Sequence, residues 1–338
     1  MSTYKIVLLF VSFAVLSVLL SSCESTTVSN PSNPADNFQI NVWDYSENHY
    51  FVDTLYKRCF NEYYNDSITS YTLENSINLN NNYFEVWVQC NTTNMYRRFC
   101  AGKVMLGARP QQGYDTSITN PRSIIDNKFA GYFYKLDNSQ YYVNPNAGFI
   151  GLKINIPVEF HVGVVYRTNS TSNNIFGKGS FESSSGDTLI LKLVKGSYSD
   201  PSIAPVCWNL QMKNVYKTPY TNLQTTSTVF LKYNVNNVYR DTIPGTTTPL
   251  ITMLKLDRYN NATLTPPPDG KFDWLLNRTI FPETGYIVFP ILEPFGKGIR
   301  NYGLDSTYTF TEIYSQKKIF TMISYKAIMY RLSGNAVY

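Results

Sequence analysis

Residues 83–90 alternate so regularly that one local structure accounts for them. Phe84, Val86, Val88 and Cys90 fall on one face of an extended strand and Trp87 on the other. This is the period-two pattern of a β-strand with apolar contacts to make on both sides. Shorter runs of the same kind recur at 38–44 (Phe38, Ile40 and Val42 on one face), 49–55, 68–73, 98–106, 152–156, 159–166, 187–194, 228–233 and 286–289. Residues 98–106 are expected to return antiparallel from 83–90, and 109–122, marked by Gly and Pro, to form a long loop. Around 141–150 a Pro145-Asn146-Ala147-Gly148 turn joins two apolar pieces, which signals a hairpin. Composition points the same way. Aromatic residues make up 15% of the chain, with 28 tyrosines, and charged residues only 16%, whereas long helices need Ala/Leu/Glu/Lys-rich stretches. The expected fold is mainly β, with antiparallel sheets packed sandwich-like and one or two short helices. Residues 249–258, with Pro249 at the first turn, are the helix candidate, and 319–332 the closing strand.

The N-terminus sets the expected compartment. Lys5 provides a positive start and residues 6–20 an apolar run too short for a comfortable membrane span. Leu20-Ser21-Ser22-Cys23 follows, an aliphatic residue and two small ones before a cysteine, as in the lipobox of bacterial lipoproteins. Small residues let a peptidase approach the bond, and the Cys23 thiol takes the lipid. Residues 1–22 therefore read as a lipoprotein signal peptide, and 23–37, rich in Ser, Thr, Asn and Pro, as a flexible tether. Several acyl chains on one cysteine give a stable anchor. Glu24 occupies the position where Asp directs retention in the inner membrane, so an outer-membrane lipoprotein is expected, in either leaflet.

The remaining residues offer little chemistry. The net charge of +5 is scattered, which argues against nucleic acid as a partner. His49 and His161 are the only histidines, and no G-x-S-x-G, H-E-x-x-H or phosphate-binding glycine loop is present. The run from Asp269 through Gly270 to Asp273 carries carboxylates at short spacing, but follows three prolines and lacks the spacing of a calcium loop, so it reads as a turn. Neither an enzyme, nor a metal, nor a cofactor is expected. After Cys23 come Cys59, Cys90, Cys100 and Cys207. Cys90 and Cys100 flank a turn at 91–94, and a cross-strand disulfide between them is expected, with free buried thiols as the alternative.

Residues 281–300 combine a Pro282-to-Gly285 turn, a short apolar strand ended by Pro290, and Leu292 and Phe295 held between Pro290 and Gly296. Taken in order with other segments they carry a resemblance. Trp208, Leu210, Met212, Lys213, Asn214, Val215 and Tyr216 form a W-x-L-x-M-K-N-V-Y element; Leu254 to Arg258, then Pro268-Asp269-Gly270-Lys271-Phe272-Asp273 follow; Phe289-Pro290, Leu292-Glu293-Pro294-Phe295-Gly296 close the series. Upstream, Tyr142, Asn144, Pro145, Gly148 and Ile150 fit a Y-x-x-N-P-x-x-G-x-I hairpin. Together they resemble the soluble N-terminal-type module of the SprA/Sov family, the outer-membrane translocons of type IX secretion that also serve gliding motility. The likeness covers most of 38–338 and is looser over 38–128. It implies two β-rich halves, 38–206 and 207–338. Family members are several times longer and end in a large β-barrel, so the expectation is a free-standing, lipid-anchored relative of one module. The implied role is accessory or structural, without catalysis, in secretion or motility. Its expected partners are the membrane, through the lipid, and a translocon or motility component met through a β-edge or an aromatic surface. The oligomeric state is left open. The competing expectation is a surface adhesin or glycan binder, since aromatic rings stack on sugar faces.

Overall fold

In a computed structural model the described residues are 36–65, 78–103, 128–169, 175–184, 186–236, 238–317 and 330–336. The fold is mainly β, built from antiparallel sheets with few short helices. The expectations for Cys23, the signal peptide, 68–73 and 109–122 lie outside the described residues.

The largest sheet holds β3 (Leu79–Gln89), β4 (Arg98–Lys103), β5 (Lys128–Lys135), β8 (Val162–Thr168), β9 (Ile175–Phe176) and β10 (Leu189–Lys195), in the order β10-β4-β5-β3-β8-β9. β10 pairs with β4 in parallel and also with β8 antiparallel, so five of these strands close on themselves as a small barrel. Closure removes the edges that an open sheet would expose. Trp87, Cys100, Phe133, Val165, Leu189, Leu191 and Leu193 form the cluster on the inner face, and Cys207 of α2 (Pro205–Leu210) joins it.

The outer face of β3 and β8 carries Phe84, Val86, Val88, Val162, Val164 and Tyr166 into a second cluster. Opposite lie two three-stranded sheets. One is β2 (His49–Phe51), β7 (Phe149–Leu152) and β6 (Tyr141–Asn144) in the order β2-β7-β6; the other is β11 (Val215–Lys217), β15 (Tyr286–Val288) and β14 (Ile280–Phe281) in the order β11-β15-β14. A four-stranded sheet, β1-β16-β12-β13, holds β1 (Asp36–Asn41), β12 (Thr228–Val235), β13 (Val238–Arg240) and β16 (Tyr330–Ala336). It encloses a third cluster against the other side of β11-β15-β14. The β11-β15-β14 sheet is thus a shared middle layer. Val215, Tyr286 and Val288 enter one core, Tyr216, Ile280 and Ile287 the other.

The alternation at 38–42 and 83–89 is found as expected. In β3 both faces are covered, which buries Phe84 through Val88 without a gap. Five expectations need correction. The 152–156 run is not a strand, because β7 ends at Leu152. β4 does not pair with β3, because β5 lies between them. β1 begins at Asp36, two residues inside the expected tether. The 49–55 strand stops at Phe51, and helix α1 (Thr54–Asn65) follows. Its apolar Tyr56 and Phe60 recur at helical spacing and are buried, and the Asp53 carboxylate accepts the Leu55 N–H at 2.7 Å as an N-cap. Finally, the cores do not divide at residue 206. β1 pairs with β16, and Phe38, Ile40, Val42, Trp43 and Tyr45 pack in the core of the C-terminal half. The helix expected at 249–258 is only one turn, α3 (Leu250–Met253), with Pro249 just before it and making no side-chain capping bond.

Candidate functional site

The segments that carry the family resemblance meet around the middle layer. β11 pairs with β15, and the pairing is extended beyond the strands by Asn214, whose buried amide Nδ2 donates to the Phe289 carbonyl at 2.8 Å. The Phe289 N–H donates back to the Asn214 carbonyl at 2.8 Å. The Tyr216 hydroxyl donates to the Val42 carbonyl at 3.0 Å. Gly285 closes the β14–β15 turn at φ +74°, and a Cβ there would stand 2.0 Å from the Tyr220 carbonyl oxygen, so no other residue fits the turn. After the buried Pro290 the chain makes one π-helical turn, Pro294–Gly298. Phe295, 2% exposed, packs with Tyr216, Phe289 and Tyr330 at ring-centroid distances of 6.1, 5.7 and 5.3 Å. Phe295 is a core residue. Leu292 is half-buried against the other core.

Upstream, the β6–β7 hairpin forms as expected, with Gly148 at φ +64°. The Asn144 amide donates to the Asn277 carbonyl at 3.1 Å. A cavity of about 610 Å³ opens between this hairpin and 276–284, lined by Tyr142, Asn144, Lys153, Phe281 and Glu283 among others.

The densest chemistry lies where the Trp208 element faces Leu292 and Glu293. A cavity of about 110 Å³ is bounded by Lys57 of α1, Trp208, Gln211, Lys213, Leu292 and Glu293. Lys213 is 6% exposed. Its ammonium lies 3.9 Å from the centre of the Trp208 ring and donates to the Trp208 carbonyl at 3.2 Å, a cation–π contact strengthened by burial. Burial lowers its pKa from 10.5 to about 7, with the neighbouring Lys57 charge acting the same way. Lys57 donates to the Asn209 carbonyl and to its side-chain oxygen, both at 2.7 Å, and burial depresses it as well. Glu293 pairs with Lys297 at 3.0 Å.

The other sequence candidates have structural surroundings. The Asp269 carboxylate accepts the N–H groups of Asn261 and Lys271 at 3.0 Å each, and Asp273 accepts those of Arg258 at 2.8 Å and Tyr259 at 3.2 Å. The buried Asp257 accepts the N–H groups of Asp269 and Gly270. These carboxylates fasten the loop to itself. Among the described residues no cluster of three or more His, Cys, Asp or Glu side chains could hold a metal. His49 is fully buried between the Ser46 hydroxyl (2.7 Å) and the Tyr142 hydroxyl (2.5 Å), and burial lowers its pKa to about 3, so it stays neutral and is a poor base. His161 stacks on Phe129 with ring centroids 4.1 Å apart.

The expected Cys90–Cys100 disulfide is not formed; both thiols are free. The Cys90 N–H bonds the Tyr132 carbonyl of β5, while Cys100 stands opposite Gly131 on the other edge of that strand. Two strand spacings, about 9.5 Å, exceed the reach of a disulfide.

Two features were missed from the sequence. Lys213 lies inside the W-x-L-x-M-K-N-V-Y element, where a lysine in an otherwise uncharged Trp–Leu–Met–Val run is the available signal. Lys192, inside the apolar 187–194 run, forms a fully buried ion pair with Asp53.

Fold and site define a mainly β protein in which a small barrel and a four-stranded sheet share one middle layer. Compared with protein-family models and with curated proteins, the chain finds no match in either.

Proposed function

We propose that this chain is a lipid-anchored, non-enzymatic cell-envelope protein, related to the SprA/Sov translocon module, that serves type IX secretion or gliding motility through protein–protein contacts. One observation carries the reading. Segments far apart in the chain (142–150, 208–216, 281–296) meet at the β11-β15-β14 layer and bond to one another or to its flanks, as parts of one inherited module would. The neutral, enclosed His49 and the self-bonded Asp257, Asp269 and Asp273 favour structure over catalysis. Attachment through Cys23 would hold the protein at the outer membrane. An exposed apolar surface for contacts exists on the barrel, where Met95, Tyr96, Phe99 and Tyr132 reach solvent and Arg97 lies 5.4 Å over the Tyr132 ring.

Deletion of the gene, with measurement of the secreted proteins and of gliding, tests this role. Loss of either, restored by the wild-type gene and not by Cys23→Ala, is the expected result; unchanged secretion and gliding would refute it. The same exposed rings, with Tyr239 on β13, favour glycan binding as the second reading, which a glycan array addresses.

A further inference from the structure

The small cavity beside Trp208 holds more positive charge than its walls neutralise. Of the residues that line it, Lys57 and Lys213 are basic and Glu293 alone is acidic, and the ion pair of Glu293 is with Lys297, outside the lining. No described carboxylate forms an ion pair with Lys57 or Lys213. Lys213 has three N–H donors; the contacts found are the Trp208 carbonyl and the Trp208 ring. An almost completely buried ammonium with donors to spare is costly unless something anionic meets it. Across the cavity Gln211 is also buried, and its Oε1 has no hydrogen-bond partner. Two cations and an unused acceptor therefore line one small space, with Phe51, Leu292 and the Trp208 ring as its apolar wall.

We infer that this cavity is a carboxylate-binding site, in which Lys213 and Lys57 take the carboxylate oxygens and Gln211 accepts a neighbouring N–H. A volume of about 110 Å³ admits a carboxylate and the first atoms behind it, and excludes a larger polyanion. A peptide terminus and an Asp or Glu side chain present the same chemistry. Burial and the neighbouring Lys57 charge hold Lys213 near 7, and a carboxylate bound beside it would raise that value by favouring the ammonium form. Tyr314, the remaining titratable wall residue, is held neutral by burial and accepts the Phe295 N–H at 3.1 Å. The inference stands apart from the proposed envelope role, and either can fail without the other.

The test uses the full chain in detergent and reads two signals: heat of binding, and the rate at which acetic anhydride labels Lys213, followed by peptide mass spectrometry. The probes are acetate, free-acid Gly-Gly-Leu, its amide, and amidated Gly-Glu-Leu, each compared with chloride at equal ionic strength. Acetate should bind saturably, slow Lys213 labelling several-fold, and lose its heat of binding in Lys213→Met. Free-acid Gly-Gly-Leu binding without its amide would assign a chain terminus; amidated Gly-Glu-Leu binding would assign a side chain. Glu293→Gln, a change at a partly exposed position that keeps the fold, should tighten acetate binding several-fold by removing a like charge. No saturable binding by any probe, or acetate binding unchanged in both Lys213→Met and Glu293→Gln, would overturn the inference.

Discussion

Tyr286 and Ile287 are neighbours in β15, yet their side chains enter different cores. Tyr286 packs with the barrel-side cluster around Phe149 and Phe281, and Ile287 with the cluster around Phe289 and Tyr330. The alternation of one three-residue strand thus couples the two parts of the molecule. The chain should unfold as one cooperative unit.

Ile287→Ala is expected to cost about 2–5 kcal/mol, the range for a buried large-to-small change. Urea unfolding followed by far-UV and near-UV circular dichroism should show coincident transitions, both shifted. A variant that melted one core and left a second transition in place would contradict the shared layer.

Asp53 and Lys192 meet with neither side chain exposed. Removing one charge leaves the other buried and alone, so Lys192→Met or Asp53→Asn should each cost about 3–5 kcal/mol. The double variant should be more stable than either single one, because no unpaired charge remains. Asn at position 53 can still cap α1, which keeps the comparison clean. A double-mutant cycle by urea unfolding measures the coupling.

Gly285→Ala asks for a side chain where φ is +74° and the Tyr220 carbonyl oxygen would be 2.0 Å away. Left-handed strain costs on the order of 1–3 kcal/mol, and the clash adds to it. Thermal melting should show a large loss of stability here. Gly270→Ala, whose site has nothing within 4 Å of the added atom, should lose only the strain.

This contrast shows what could be read beforehand. Gly285, Gly148 and the Phe38, Ile40 and Val42 alternation are local signals, set by backbone sterics and by one buried face, and the structure contains each of them. Strand order is not local. Nothing in 83–90 or 98–103 announces that β5 will come between them, which is why the Cys90–Cys100 bridge was expected. Helix α1 was hidden by its aromatics: Tyr56 and Phe60 favour strands by composition, and only their four-residue spacing and Asp53 before them mark a helix. The roles of Lys213 and Lys192 are not legible in the sequence, because a lysine within an apolar run says nothing of its partner until distant segments are brought to it.

Asp273 gives a pH test. Desolvation raises its carboxyl from 3.8 to about 6, against the backbone N–H bonds from Arg258 and Tyr259. Because the folded-state value lies above the unfolded one, the folded state binds the proton more tightly. The stabilisation is complete below the unfolded value and is lost as pH rises through about 6. The stability of the wild type relative to Asp273→Asn should therefore fall between about pH 4 and 6, by at most on the order of 3 kcal/mol, and level off above that range. Urea unfolding of both proteins across this interval measures it.

The most direct measurement of the central claim is co-purification of the tagged full chain from cells cross-linked before lysis, with the captured proteins identified by mass spectrometry. A role through protein contacts in secretion or motility predicts that a translocon or gliding component is enriched over an untagged control, and that the enrichment falls when Tyr96 and Phe99 are changed to Ser. Recovery of no secretion or motility component, from a chain shown to be folded and membrane-attached, would contradict it.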